Sequence, residues 1–579
     1  MSSANVTLDG QDGGHGKEWN LREFTSLLGL RTTNGYNDSD LAILAGQMVL
    51  NPILPPDPIS DGPDPEENLY VPAGYTYFGQ FIDHDLTLDT TSTLDPTQDL
   101  KDPVKASNHP TNVRSPRFDL DCVYGNGPGD QPYMYVQADA DSPAGKLYKD
   151  ASMVLDGHDL PRASNHRALI GDKRNDENSI VNQIQQVFIK FHNQVVRTLV
   201  ERGETDRGSK LFQKAREQVR WAYQTLILDD FLPRIIEHTT LNAFVAEWGN
   251  AGEDAYLLYK KDLRSNLPRE FVVAAYRFGH SMVRTGYRLA GNSPNGSNRY
   301  STRLPIFTTS DDSELSLVGF DPLPESHVID DWGRFFPIDE PMPGARLTVN
   351  SGELKEDPEF DSKVRLQYAY KIDTSLSDPL RFLPPKVANP GDVPAGAGPG
   401  GPPSLALLNL IRGNRYLIQG GQAFESIVSS KLDKKYLVTR RKNEDDTYMF
   451  MDIPEALKTD TPLWFYILAE AQRQIVDLWY ERGGYPGNGV TLSTKDLLGE
   501  KNDTDKDHPE ILRQRGLGGQ LGPVGGRIVA EVFYGLLEDD ETSVMSQRKA
   551  DSFTPIWGGT GTHTFARLLQ FTGLTISRT

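Results

Sequence analysis

The chain has 579 residues and a formal net charge of −20. So acidic a surface repels phosphate backbones and anionic lipid, so nucleic acid is not an expected partner. No run of about 18 apolar residues occurs, which argues against a membrane-spanning helix, and the single cysteine, Cys122, rules out an intrachain disulfide, a CxxCH haem attachment and thiolate-rich zinc sites.

Met1-Ser2-Ser3-Ala4-Asn5-Val6 lacks the basic and apolar stretches of a secretory signal, so the expectation is a cytoplasmic protein or one secreted by a non-classical route. Residues 1–20 are polar and glycine-rich and read as a tail. Asn51–Pro72, rich in Pro, Asp and Gly, reads as an irregular wrapping segment, with a short helix following over Tyr75–Leu86. Residues 87–170 read as loop. Then Ile180, Val181, Ile184, Val187, Phe188, Phe191, Val195, Val196 and Leu199 recur at helical spacing and predict a long amphipathic helix. Further helices are predicted over Ala215–Ile236, ending near Leu232-Pro233, and over Arg269–Val283, Ser404–Arg412, Leu463–Glu481 and Ile528–Leu537. Strand signals are few. The fold class is mainly α, with long irregular connections that suit a chain wrapped round a large cofactor or an ion better than a plain bundle. Residues 388–403 are rich in Pro and Gly and read as a surface loop inside one domain spanning 1–579, because the motifs below lie on both sides of them. No internal repeat is found.

Four segments carry candidate chemistry. In Gly79-Gln80-Phe81-Ile82-Asp83-His84-Asp85, Gln80 and His84 are i,i+4 and share a helix face, with Asp83 beside them. Taken alone, this is better explained by a buried His–Asp pair. In Gly171–Asn178, Arg174 and Glu177 are three apart and can face one cavity. Asp176 and Glu177 also suit the start of the helix that follows, whereas the charge of Arg174 gains nothing there. In Ala274–Ser281, Gly279 precedes His280 within the predicted helix, at a cost of about 1 kcal/mol against Ala. Close approach of something flat would justify that cost, as would simple packing. In Ser115–Gly125, Ser115, Asp119 and Asp121 could wrap a hard cation such as Ca²⁺, although spacing alone favours an Asx-turn loop.

Together and in this order, these segments resemble the peroxidase–cyclooxygenase superfamily, the animal-type haem peroxidases and their bacterial relatives. The resemblance runs from about residue 70 to about 540. It also draws on Val187–Asn193, on Leu405-Ala406-Leu407-Leu408-Asn409-Leu410-Ile411-Arg412, and on Gln520-Leu521-Gly522-Pro523 before an apolar helix. It implies an animal-type peroxidase fold holding haem b between a central set of helices. By resemblance His84 is the distal acid/base, Gln80 holds distal water or a halide, and Arg174 is the distal arginine. His280 is the iron ligand, Asn409 its hydrogen-bond partner, and Arg277 a further haem contact. Asp83 and Glu177 fall where the mammalian enzymes form ester links to haem. Asp85, Ser115, the Arg117 carbonyl, Asp119 and Asp121 fall on the family's calcium site.

The implied reaction is reduction of hydrogen peroxide and oxidation of small anionic or phenolic donors through a ferryl haem, in a role fitting a response to oxidative stress. A monomer would suffice for it. Two departures refine the expectation. Asn178 stands where myeloperoxidase has the methionine that bonds to haem, so bromide, iodide, thiocyanate and phenols are expected donors rather than chloride. The alternative, a haem-dependent fatty-acid dioxygenase, would need a radical tyrosine three residues before His280. Arg277 holds that position, and Tyr276, one residue earlier, is expected to point elsewhere on a helix. A non-catalytic protein that has kept the fold is disfavoured by the presence of His84, Arg174 and His280.

Overall fold

The computed structural model describes residues 22–32, 35–50, 67–88, 111–136, 151–264, 266–290, 303–308, 315–338, 347–350, 353–356, 366–381, 383, 404–428, 453–483, 519–549, 555–557 and 563–577. The polar tail, most of the wrapping segment and the loop over 388–403 lie outside the described residues.

In chain order the elements are β1 (Arg22–Glu23), α1 (Asp38–Leu50), β2 (Glu67–Pro72), α2 (Gly74–Leu86), β3 (Thr111–Asn112), α3 (Asp121–Tyr124), α4 (Ser179–Glu201), α5 (Ser209–Leu226) and α6 (Leu232–Ile235). They continue with α7 (His238–Ala251), α8 (Arg269–Val273), β4 (Gly286–Tyr287), β5 (Leu304–Pro305), β6 (Leu347–Asn350), β7 (Glu353–Glu356), β8 (Tyr368–Tyr370), α9 (Leu405–Arg415), α10 (Gly421–Val428), α11 (Leu463–Glu481), α12 (Pro523–Glu538), α13 (Val544–Lys549) and α14 (Phe565–Phe571). The mainly helical class is as expected. The strands form only two-stranded antiparallel pairs, β1–β3, β2–β8, β4–β5 and β6–β7. No described helix is long and apolar enough to cross a membrane.

The apolar spacing that predicts α4 is the face it buries. Ile180, Ile184, Val187, Phe188, Phe191 and Val195 are all sequestered. Phe188 stacks on Phe81 of α2 with ring centroids 4.6 Å apart and meets Tyr223 of α5 edge-on at 5.6 Å. That packing turns the other face of α2, with Gln80 and Asp83, away from the core, and truncating Phe188 to Ala would cost about 3–5 kcal/mol. One apolar cluster runs from Phe24 through these helices to Leu569.

Several elements differ from expectation. The end of the wrapping segment is β2, paired with β8. The second long helix starts earlier, at Ser209, and passes through a π turn at Ile227–Phe231 before Leu232–Ile235. Extra backbone there lets Asp230 accept the Tyr75 hydroxyl and the Phe565 amide at 2.7 and 2.8 Å. The helices α9 and α12 run longer than predicted, to Arg415 and from Pro523. Helix α4 is not capped by acidic residues. Asn178 caps it, accepting the Ile180 and Val181 amides at 3.1 and 2.9 Å, while Asp176 is drawn off to Arg162. The predicted helix over 269–283 breaks at Ala274 (φ −135°, ψ −69°), and Ala275–His280 is a 3₁₀ turn.

Candidate active site

Helix α2 supplies His84, which is 4% exposed. Its Nδ1 lies 2.7 Å from the Asn175 Oδ1. The Asn175 amide is fixed from the other side, since its Nδ2 donates to Gln185 Oε1 at 2.9 Å. With the amides as placed, Asn175 accepts, Nδ1 carries the ring proton, and Nε2 keeps its lone pair. No hydrogen bond to His84 Nε2 is present among the described residues. Burial, then the charge of Arg174, lowers the His84 pKa to about 4, so the ring is neutral at pH 7. Gln80, one turn before, donates to Glu177 Oε1 in a short hydrogen bond and accepts from Asn178 Nδ2 at 3.1 Å. Burial raises the Glu177 carboxyl to about 7 against the opposing pull of Arg174. Asp83 accepts the Thr87 hydroxyl at 3.1 Å.

Arg174 comes from the 3₁₀ turn Lys173–Asp176 before α4. Asp172 holds it in a fork, with Oδ1 taking Nε at 3.1 Å and Oδ2 taking Nη2 at 2.8 Å. Nη2 also reaches the His84 carbonyl at 3.2 Å and, in a short hydrogen bond, the Thr87 carbonyl. Nη1 makes no hydrogen bond among the described residues. The guanidinium is thus clamped to the end of α2 beside His84, with one edge free.

The 3₁₀ turn at 275–280 has three residues per turn, so Arg277 and His280 eclipse along one edge. Asn409, on α9, lies with its carboxamide 2.7 Å from His280 Nδ1. As placed, Nδ2 faces the ring. A metal on Nε2 requires the proton on Nδ1, and a 180° turn of the amide within the same envelope brings Oδ1 round to accept it. Burial, then Arg277 and Arg412, lowers the His280 pKa to about 3. Arg277 donates Nε to the Val272 carbonyl at 3.1 Å. Burial, then the like charge of Arg412, lowers its own pKa to about 10, and the charges of Asp83 and Arg174 reach it as well. The two segments also touch directly, through the Tyr276 hydroxyl and the Gly79 carbonyl. Tyr276 leaves the Arg277–His280 edge, as expected. It stacks on Phe271 at 4.9 Å, and its hydroxyl donates to the Gly79 carbonyl of α2 at 3.3 Å.

Asp85, Asp119 and Asp121 converge, with one carboxylate oxygen of each lying within 4.8 Å of the others. Asp85 is fully buried and its Oδ1 accepts no hydrogen bond of normal geometry. Ser115 donates its hydroxyl to Asp119 at 2.7 Å. The Arg117 amide closes a turn on the Ser115 carbonyl at 2.7 Å, and its guanidinium points to Asp540. A buried carboxylate oxygen among like charges fits a hard cation. Cys122, next to Asp121, is a free and buried thiol that offers no sulfur to a partner chain.

Sequence reasoning missed Asn175, Gln185, Asp172 and Arg114, and it gave no role to Arg412. Only Arg412 carried a local signal, since it stands one helical turn after Asn409 and beside the Arg277 charge.

The family model described as animal haem peroxidase matches residues 108–329, a stretch holding Arg174, Glu177 and His280. Over that stretch the chain is similar to the animal haem peroxidases. Among curated relatives, the peroxidasin homologue pxn-2 of Caenorhabditis elegans is 28% identical over 117 residues, which is 20% of this chain and 8% of that protein. The matches span between 7% and 19% of the length of the curated relatives. Peroxidase A from Dictyostelium discoideum superimposes with a TM-score of 0.48 at 14% identity, over 100% of this chain and 99% of that one. An Oryza sativa fatty acid alpha-dioxygenase gives 0.48 at 13% identity, over 96% and 83%.

Haem is the group that similarity to animal haem peroxidases implies, and the residues present fit a flat, acidic cofactor. A Cβ on Gly279 would meet nothing within 4 Å, so there is open space against the residue before His280. His280 Nε2 has no hydrogen bond among the described residues, and the unneutralised Arg277–Arg412 pair beside it suits carboxylates.

Proposed function

We propose that the chain is a haem peroxidase, acting as one catalytic domain, that reduces hydrogen peroxide and oxidises small donors. The observation that carries this reading is the His84–Asn175–Gln185 chain beside the clamped Arg174, which yields a neutral base with a free Nε2 next to a fixed cation. When bound, haem supplies the redox chemistry. His84 Nε2 takes a proton from one peroxide oxygen and returns it to the other as the O–O bond breaks. The free edge of Arg174 stabilises negative charge developing on the departing oxygen. His280 would ligate the iron, Asn409 would hold its ring proton, and Arg277 with Arg412 would bind the haem carboxylates. Gln80, fixed by Glu177 and Asn178, would orient water or a halide. Asp83 and Glu177 are the proposed ester-forming carboxylates. Asp85, Asp119 and Asp121, with Ser115 and the Arg117 carbonyl, are the proposed calcium ligands.

The test is an absorption spectrum of protein expressed with ample haem, followed by addition of peroxide. A Soret band that changes within milliseconds of mixing is expected. A colourless protein would overturn the reading.

A second reading, a fatty-acid dioxygenase, has one observation in its favour: the Tyr276 hydroxyl sits on the Gly79 carbonyl, next to Gln80. It predicts oxygen uptake with linoleate and no added peroxide, lost in Tyr276→Phe.

A further inference from the structure

The two halves of α2's surroundings, the carboxylate cluster and the arginine loop, share one buried residue that neither role accounts for. Arg114 follows β3 and its side chain is 11% exposed. Its Nη1 lies 3.0 Å from Asp121 Oδ1, within the cluster. Its Nη2 donates to Asp172 Oδ2 at 2.6 Å and to the Gly171 carbonyl at 3.0 Å. Asp172 is the carboxylate that forks Arg174. An unbroken run of contacts therefore leads from Asp121 through Arg114 and Asp172 to Arg174. The backbones touch as well, since a Cβ on Gly171 would stand 2.5 Å from the Asp121 carbonyl and 2.6 Å from that of Cys122.

We propose that Arg114 is a positioning residue that sets the pose of Arg174 and ties it to occupancy of the Asp85–Asp119–Asp121 cluster by a divalent cation. The inference rests on the cation reading of that cluster. Its basis is charge balance in a buried network. Four carboxyl groups, of Asp85, Asp119, Asp121 and Asp172, face two guanidinium groups, of Arg114 and Arg174, so full ionisation would leave an excess of two negative charges. A divalent ion completes neutrality. With the cluster empty, Arg114 is the cation in contact with Asp121 and divides its charge between that residue and Asp172. With an ion bound, Asp121 is satisfied by the metal and the Arg114 fork is committed to Asp172, which tightens the clamp on Arg174. The fork meets Asp121 through Nη1 and Asp172 through Nη2, a spread of donors that the single nitrogen of Lys does not reproduce, so Lys is not equivalent here.

The experiment is hydrogen exchange of the full chain, with calcium alone as the probe against EDTA, followed over peptides covering 115–123 and 171–178. In the wild type calcium should slow exchange in both, by about tenfold in 171–178, a coupling of ordinary size. In Arg114→Gln the calcium effect at 115–123 should persist while that at 171–178 falls below about twofold. A role in stability alone would speed exchange at 171–178 equally with and without calcium, and that pattern overturns the proposal. Arg114→Lys keeps the charge and guards against a fold too weak to measure. It should also lose the calcium effect at 171–178, and full transmission through Lys would count against the fork. Absence of any calcium effect in the wild type overturns the proposal outright. The measurement does not need haem, so the expected pattern in a protein without a Soret band would sustain the coupling while refuting the peroxidase reading.

Discussion

Asn175 accepts the Nδ1 proton of His84 at 2.7 Å while its own amide donates to Gln185 at 2.9 Å, so the tautomer of the histidine follows from two successive contacts. Asn175→Leu should leave a folded, haem-binding protein whose reaction with peroxide is about 10²–10³-fold slower, read by stopped-flow at the Soret band. An unchanged rate would remove His84 Nε2 from the role of base.

Burial of His84 beside Arg174 has a pH signature. His84 titrates at about 4 in the folded chain against an ordinary 6.5. Between these values the unfolded chain binds more protons, so stability rises with pH across that window and is lost as pH falls through it. His192, also held at about 4 by burial, adds to the same slope. Asn175→Asp places a carboxylate against Nδ1 and should move the acid limb of the peroxide-reaction profile upward. A limb that stays near pH 4 would show that another group controls it.

Arg174→Gln removes the cation beside His84 but can keep part of the hydrogen bonding. A fall of about 10²–10³-fold in the peroxide rate, with haem content unchanged, is the expected outcome. A loss of haem instead would assign Arg174 to cofactor retention.

Gly279 borders open space. Gly279→Val should therefore cost the haem-free protein less than about 1 kcal/mol, since no packed atom must move, yet sharply lower haem stoichiometry. A valine variant that fills with haem normally would place the cofactor elsewhere.

Asp119→Ala removes one of three converging carboxylates. Bound calcium and melting temperature should both fall, checked by metal analysis and calorimetry. A variant unchanged in both would refute the calcium assignment. Asn178 should keep chloride a poor donor beside bromide and iodide, as a halide-oxidation assay would show. Asn178→Met should also cost about 1 kcal/mol by uncapping α4.

What could be read from the sequence was whatever is written locally. Ile180 to Leu199 announce α4 by spacing, and His84, Arg174 and His280 stand in short motifs. Leu41, Leu44, Ala45 and Met48 of α1 carry spacing of the same kind and are buried. The break at Ala274 was not legible, because Ala-Ala-Tyr-Arg-Phe reads as helix. Tertiary contacts override it, with Trp464 donating to the Arg277 carbonyl at 3.1 Å and Tyr276 wedged beside Phe271 and Phe533. Nor could spacing reveal Arg114 with Asp172, 58 residues apart, or Tyr276 with Gly79, 197 apart. Those pairings exist only once the helices have packed.

Gly171 gives the arginine loop a mechanical character. Its alpha carbon rests on the carbonyls of Asp121 and Cys122 with no side chain between. A cushion of methylene groups would absorb small displacements by rotamer changes, whereas two backbones in direct contact have no such compliance. Any fraction of an ångström by which α3 shifts is therefore passed to the loop undamped, and a single methyl at position 171 would act as a shim, prising the arginine from its seat.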